Sequence, residues 1–482
     1  MDTETLIHEW SASLENGTAA VFIGAGLARR AGYPDWRNLL EEVALELGLE
    51  IEQENDLAGV AQYSVNRAAG KRHRLWRLVT ESFPPRPVAP EPYRILARLP
   101  LRHIWTTNYD SLVEVAWRAE RKILDVKSRN YDVGVDNPWA HATLYKMHGS
   151  VDHPREVVVA KDDYELYRRV RPAFLQLLAA HLVSRQVLFL GFSFTDPNLM
   201  LLFASIREAL QRESPGHFAI VARPKPVPHP TRQDKVNAIR HALWMEDLKR
   251  YGIQCVEIDH FNEIDDILKQ VEWRLCRANV LVLGSFPDPR SKDERSPQLS
   301  QSRHFVEGVA REIGRLAMKR KRRLISGYGP VVGTALVGGA LDVLLTGPTP
   351  VLDQSLLLRS FPAKPPPGIK TAEYREMYRD SMILQAGACI FIGGFERDGA
   401  NGLQPATETL AEFDSARRFR RLPIPIGATG GAAEEIWKAV DHEYDRFLPA
   451  KVRPDFNRLN RPGQTPKQLA RAVEGILKAC IK

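Results

Sequence analysis

A chain of 482 residues is longer than one hydrophobic core ordinarily serves, so about two or three domains are expected. A content of 44% hydrophobic and 26% charged residues is that of a soluble globular protein. The net charge of +8, from 67 basic and 59 acidic residues, is mild for this length and suits plain solubility as readily as an anionic ligand.

The cysteines, Cys255, Cys276, Cys389 and Cys480, form no CxxC pair. A four-cysteine zinc site and a disulfide framework are therefore not expected, and a reducing cytosol is the natural compartment. The opening MDTETLIHEW has neither a basic region nor a continuous apolar core, so no signal peptide is expected. No apolar run reaches the length of a membrane span; the longest candidate, 331–345, is glycine-rich and interrupted by Asp342. The basic run KRKRR at 319–323 reads as the solvated end of a helix.

In chain order, 3–16 reads as an amphipathic helix covering a first strand. Val21, Phe22 and Ile23 fit a parallel strand buried on both faces. Gly24, Ala25 and Gly26 follow with almost no side chain, so a phosphate could lie against their backbone N–H groups and the next helix start. Residues 35–49 show helical spacing through Trp36, Leu39, Leu40 and Val43 and stop at Gly48. Helix is expected to continue over 56–83, and the proline-rich 84–92 is a loop. Ile104, Trp105 and Thr106 form a strand with Asn108 at its C-terminal end. LYKMHGS at 144–150 repeats the pattern with His148 and Gly149. VLFLGFSFTDPN at 187–198 repeats it again, with a loop from Gly191. Strands at 217–222 and 254–258 complete the first half, with an irregular connection over 223–230 between them. Strands alternating with helices argue a parallel α/β sheet.

After a helix at 262–277 the same grammar restarts. A buried strand at 279–283 ends in Gly284 and Ser285, and a polar loop covers 287–301. A helix at 302–321 leads to a strand at 323–326 that runs into Gly327, Gly329 and Gly333. Then come a helix at 336–345, a strand at 388–392, a helix at 407–418, a strand at 422–426 and a glycine loop at 427–431. The fold class is α/β with two Rossmann-like parallel-sheet domains, 1–275 and 276–482, and no short-period repeat.

Ligands of doubly wound sheets bind beyond the C-terminal strand ends. The 24–26 turn, Asn108 and His148 all lie there. The string GAGLARRAGYPDWR at 24–37 resembles the first dinucleotide motif of the sirtuin family, usually GAGxSxxxGIPDFR. TTNYD at 106–110 resembles the family's TQNID, KMHGS at 146–150 its HG motif, and GFSF at 191–194 its GTS segment. The resemblance covers roughly 1–275. It implies that Asn108 orients a ribose hydroxyl and a water while His148 acts as general base, and that Gly24, Ala25, Gly26, Leu27, Asp35, Trp36, Thr107, Asp110, Gly191 and Ser193 hold NAD. Imidazole titrates near neutral pH and suits that role. Asp110 fits a ligand contact or a helix cap equally. Trp36 also fits a core position, and Asp196 a turn-shaping one. Two departures bear on activity. Ala28 stands where the family often has Ser, and 150–190 carries no cysteine where sirtuin deacetylases have a zinc module. Water then becomes the expected acceptor, giving ADP-ribose and nicotinamide, with no metal.

LVLGSF at 281–286, ISGYGPVVG at 325–333 and FIGGF at 391–395 resemble a SLOG domain, a Rossmann-like fold that senses or processes nucleotide ligands. The order sirtuin-like then SLOG resembles the effectors of the Thoeris bacterial anti-phage system. That resemblance implies a cytoplasmic homo-oligomer, a tetramer or larger, linked to a TIR-domain enzyme through a diffusible cyclic ADP-ribose isomer. The SLOG domain would bind this signal and the sirtuin-like domain would hydrolyse NAD. Gly284, Ser285, Gly327 and Gly329 would cradle phosphates, Arg359, Arg375 and Arg379 would pair with a pyrophosphate, and Glu412 would accept from a ribose or base. The alternatives are a non-catalytic NAD or ADP-ribose sensor and a sirtuin-type protein deacylase. No nucleic acid or membrane partner is expected.

Overall fold

The computed structural model describes residues 1–210, 216–224, 231–287, 297–346, 355–360, 365, 370–398 and 402–481. The chain divides into two units, Met1–Glu272 and Trp273–Lys482.

The first unit is built on a sheet of seven strands: β1 (Ala19–Ile23), β2 (His103–Thr106), β3 (Leu124–Lys127), β4 (Ala142–Lys146), β5 (Gln186–Leu190), β6 (His217–Ala222) and β7 (Ile253–Ile258). They pair in parallel in the order β3-β4-β2-β1-β5-β6-β7. β1 lies between β2 and β5, with Val21 opposite Ile104 on one side and Leu188 on the other. That position explains why all of AAVFI is buried: a central strand covered on both faces has no polar side. Phe22 stacks on Phe189 with ring centroids 5.4 Å apart, so the aromatic core runs directly under the strand tips.

The helices depart from the sequence reading where left-handed residues interrupt them. The helix expected over 56–83 is two, Leu57–Arg67 and His73–Ser82, because Ala69 (φ 52°) and Gly70 (φ 84°) turn the chain between them. The one expected over 35–49 is Trp36–Leu39 and Glu41–Leu47, closed by Gly48 at φ 77°. The loop expected over 84–92 ends early. A helix Glu91–Arg98 begins with Pro92 in its first turn, where the missing N–H costs nothing. The stretch 150–190 holds two helices, Lys161–Val170 and Pro172–Ser184. Of the connection expected over 223–230, residues 225–230 lie outside the described residues.

The second unit has a five-stranded parallel sheet of β8 (Val280–Leu283), β9 (Leu324–Ser326), β10 (Leu356–Leu358), β11 (Ala388–Ile392) and β14 (Leu422–Ile426). A hairpin of β12 (Phe395–Asp398) and β13 (Gly402–Pro405) follows β11. The order β10-β9-β8-β11-β14 reverses direction between β8 and β11, where doubly wound sheets open a crevice. β14, sequence LPIPI, is an edge strand, as prolines without N–H donors require. The helix expected over 302–321 starts earlier and runs Pro297–Lys319, taking the end of the expected 287–301 loop. Residues 288–296 of that loop lie outside the described residues. This helix packs closely on Val332–Leu344: a Cβ at Gly314 would stand 2.1 Å from the Leu336 carbonyl oxygen. No helix among the described residues is long and apolar enough to cross a membrane.

The candidate active site

Four adjacent strands, β4, β2, β1 and β5, deliver their C-terminal tips to one side of the first sheet. A cavity of 620 Å³ opens there, within the range of about 300–1,000 Å³ usual for small-molecule sites. Ala25, Gly26, Asp35, Trp36, Thr107, Asn108, Asp110, His148, Gly191 and Ser193 line it, whereas Gly24 and Leu27 do not reach its wall.

The turn after β1 is packed backbone to backbone against the turn after β5. The Gly24 N–H donates to the Leu190 carbonyl at 2.9 Å and the Gly26 N–H to the Gly191 carbonyl at 2.9 Å. A Cβ at Gly24 would stand 2.4 Å from the Gly191 oxygen, and one at Gly191, whose φ is +62°, would stand 2.3 Å from the Leu27 nitrogen. The glycines serve this close approach. The N–H groups of Gly24 and Gly26 are therefore already engaged, and the phosphate cradle expected of them is not free in this form.

The loop after β2 is fixed at both ends. The Thr106 hydroxyl donates to the Ile23 carbonyl at 2.8 Å and accepts from the Asn108 N–H at 2.9 Å. The Asn108 amide nitrogen donates to the Gly24 carbonyl at 3.2 Å. Its Oδ1 is buried with no protein partner. An orphaned buried acceptor on a cavity wall costs free energy until something donates to it. Asp110 accepts from the Leu112 N–H at 2.9 Å, at the start of the helix Leu112–Ala119, while its Oδ2 is also buried without a partner. Both roles open to it from sequence thus have an atom to perform them. Burial pushes its carboxyl up to about 6 against the pull of Lys146. Lys146 is fully buried beneath this loop. Its ammonium donates to the carbonyls of Asp110 at 2.6 Å and Tyr109 at 3.3 Å, and to Glu114 at 2.9 Å.

His148 follows β4. It is 5% exposed, with Tyr164 and Tyr167 edge-on at 5.3 and 6.1 Å. Its Nε2 lies 2.9 Å from Asp196 Oδ2, at ion-pair distance but off the line of a hydrogen bond. Arg171 ties the segment down: its guanidinium donates to the carbonyls of Ser128 at 2.7 Å, Met147 at 3.3 Å and Glu156 at 2.5 Å. Asp35 caps the helix Trp36–Leu39 through the Asn38 N–H at 2.9 Å and meets Arg29 at 3.4 Å. Trp36 packs 5.7 Å from Tyr164, at once core and cavity wall. The cavity is also lined by Ile220, Val221, His241, Trp244 and Phe261. Sequence reasoning passed over these residues.

In the second unit the candidates also gather at strand ends. Gly284 has φ +132°, and a Cβ there would stand 1.9 Å from the Ile392 oxygen, so the β8 and β11 tips demand glycine. The Ser285 carbonyl accepts from Gly394 and Phe395, and its hydroxyl donates to the Phe395 carbonyl at 3.0 Å. Gly327 and Gly329 follow β9; at Gly329 a side chain would meet open space. The Arg359 N–H donates to the Ser326 carbonyl at 2.9 Å. Arg375 and Arg379, on the helix Thr371–Ile383, share Glu408 at 3.1 and 2.6 Å. Glu412 is buried, and burial pushes its carboxyl up to about 8 against the pull of Arg379. Expected as an acceptor, Glu412 keeps that capacity, and the upward shift lets it donate as well.

Comparisons with known proteins agree with this architecture. The chain is 32% identical to the NAD(+) hydrolase ThsA of Bacillus cereus (strain MSX-D12) over 474 residues, 98% of this chain and 97% of the relative. The chain belongs to the ThsA family. The ThsA of Enterococcus faecium is 31% identical over 486 residues, 98% of each chain. Residues 102–251 match the SIR2-like domain family, and residues 263–480 match the Sir2- and TIR-associating SLOG family. A more distant relative, defense-associated sirtuin 2 of Bacillus subtilis, is 27% identical over 234 residues, 47% of this chain and 23% of that protein. In ThsA terms, the first unit carries the SIR2-like match and the cavity, and the SLOG match spans the second sheet.

Proposed function

We propose that the chain is an NAD hydrolase that converts NAD and water to ADP-ribose, nicotinamide and a proton. The observation that carries this reading is the convergence of Asn108 and His148 on one apolar-walled cavity, with Asn108 Oδ1 buried and unpartnered. Cleavage of the nicotinamide–ribose bond passes through an oxocarbenium-like state, as glycoside cleavage does. Asn108 Oδ1 accepts from a ribose hydroxyl or the attacking water. The C1′–N bond breaks with its electron pair going to nicotinamide, the water oxygen bonds to C1′, and His148 takes the water's proton. Membership of the ThsA family supports the choice of hydrolysis over deacylation.

The second unit, in this reading, is the sensor. Gly284, Ser285, Gly327 and Gly329 approach the phosphates of a cyclic ADP-ribose isomer, while Arg359, Arg375 and Arg379 pair with them. Glu412 donates to its ribose or base. Burial of Arg379, held by Glu408 at 2.6 Å, and of Glu412 supports side chains placed before the signal binds. The signal comes from a TIR-domain enzyme, and its binding favours an active homo-oligomer in the cytoplasm, so that infection depletes NAD. The test is NAD consumption by the full-length chain with the cyclic isomer present. Asn108→Ala should abolish it with or without signal, and Arg379→Ala should raise the isomer concentration required by about tenfold or more, the worth of a buried charge-assisted pair. Unaltered turnover by Asn108→Ala would place the chemistry elsewhere.

A further inference from the structure

The mechanism above gives no task to Asp196, a buried carboxylate on the cavity wall. Asp196 stands at the N-terminus of the helix Pro197–Ala209, and its Oδ1 accepts from the Leu199 N–H at 3.0 Å. That contact makes it a helix cap and needs one oxygen. The other oxygen, Oδ2, points away from the helix to within 2.9 Å of His148 Nε2. The side chains are 7% and 6% exposed, and neither of the two facing atoms has an aligned hydrogen-bond partner. Burial alone would raise the Asp196 carboxyl. Contact with His148 and the N–H groups of Leu199 and Asn198 outweigh it, and the net direction is down, so the group is a carboxylate at neutral pH. The helix N-terminus adds to that preference. The other side chains flanking the imidazole, Tyr164 and Tyr167, have hydroxyls held far above their ordinary range by burial and carry no charge.

We propose that Asp196 is a positioning residue for His148: its inward carboxylate oxygen holds the Nε2–H tautomer and the ring orientation, leaving Nδ1 as the lone pair that receives the water's proton. A carboxylate on one imidazole nitrogen fixes which nitrogen is free for chemistry, and it stabilises the imidazolium once formed. The loop that presents Asp196 is built for a set direction. Phe194 adopts φ 56°, uncommon for a bulky side chain, and is buried among Phe189, Phe192 and Phe203.

The inference rests on the hydrolase reading for its kinetics but not for its structure, and the test separates the two. Asn is as good a helix cap as Asp, so Asp196→Asn keeps the bond to Leu199 and removes the charge. In the presence of the cyclic ADP-ribose isomer, Asp196→Asn should lower kcat by about 10-fold or more, with KM changed by no more than about threefold; losing such a carboxylate costs about 10–100-fold at metal-bound imidazoles and about 10⁴-fold at a general-base imidazole. Asp196→Glu should recover part of the loss. In parallel, ¹⁵N spectra of histidine-labelled full-length protein, with the His148 signal assigned by its loss in His148→Gln, should show the Nε2–H tautomer in wild type and a mixture in Asp196→Asn. A kcat within about twofold of wild type, or an unchanged His148 tautomer, would overturn the proposal. If wild type releases no nicotinamide, the hydrolase reading falls and the tautomer measurement alone decides the role of Asp196.

Discussion

Gly191 is the position at which fold and site constrain each other most tightly. Its φ of +62° lies in the left-handed region, and a Cβ there would stand 2.3 Å from the Leu27 nitrogen and 2.9 Å from the Gly26 carbonyl carbon. Both neighbours are backbone of the turn after β1, so no side-chain rotation relieves the contact. For Gly191→Ala, the left-handed conformation costs about 1–2 kcal/mol and forcing a methyl between packed backbones about 1–3 kcal/mol. The total is about 2–5 kcal/mol. At about 2–4 °C per kcal/mol for a domain of this size, unfolding of the first unit should begin roughly 4–20 °C lower. Gly17→Ala is the control: its φ is +70°, but nothing lies within 4 Å of the added Cβ. It carries the backbone cost alone, about 1–2 kcal/mol. Differential scanning of the two variants in the full chain, with nicotinamide release followed on the same samples below the transition, reads both consequences. Gly191→Ala should also lose most turnover, because Gly26 and the Asn108 acceptor Gly24 shift with the turn. Equal melting of the two variants would refute the argument that the β1 and β5 turns are locked by backbone contact.

The remaining predictions concern buried charge. Glu412 binds a proton in the folded chain up to about pH 8 but in the unfolded chain only to its ordinary 4.5, so the folded state gains over the lower range and loses as pH rises from 4.5 to 8. Glu412→Gln should flatten this fall in urea titrations of the second unit and stabilise it at pH 8 by a few kcal/mol; an unchanged slope would mean that the carboxyl is solvated. His103 and His181 have rings 4.3 Å apart, and burial pushes them down to about 3 and about 4. Stability that is full above pH 6.5 should therefore drain away as pH falls toward 4, and His103→Phe should reduce that acid sensitivity. Arg171→Met takes the guanidinium donor from the Ser128 and Glu156 carbonyls, each costing about 1–3 kcal/mol, while the Met147 carbonyl keeps the Tyr167 hydroxyl at 3.0 Å. Hydrogen exchange should quicken around Met147, Ser128 and Glu156 ahead of the rest of the sheet.

What could be read from the sequence is what local pattern determines. Continuous apolar runs mark β1, β5 and β8, because strands buried on both faces leave no polar alternation to confuse with a helix. Glycine at the tips of β1, β5 and β8 was visible, but its reason was not: the clashes at Gly24, Gly191 and Gly284 are with strands distant in sequence. β3, sequence LDVK, is a short half-polar edge strand with no periodic signal. The break at 68–72 had only Gly70 to announce it, since Ala69 takes a left-handed conformation that its type does not advertise. In the site, Asn108 and His148 stood out by their strand-end placement. Asp196 did not, because the Asp-Pro before a helix is fully explained as a cap and its second oxygen faces His148, beyond the end of a strand distant in sequence. His241 and Trp244 lie on the helix Arg232–Lys249, whose largely exposed surface hides the face turned to the cavity.

The central claim is that water is the acceptor for ADP-ribose at the Asn108–His148 cavity. It is tested most directly by turnover of NAD in ¹⁸O-water by the full-length chain with the cyclic ADP-ribose isomer present. Nicotinamide and ADP-ribose are expected in equal amounts, with one heavy oxygen on the ribose C1′, and no product is expected from Asn108→Ala. Nicotinamide accompanied by unlabelled, cyclised or acylated ADP-ribose, or no nicotinamide at all, would contradict it.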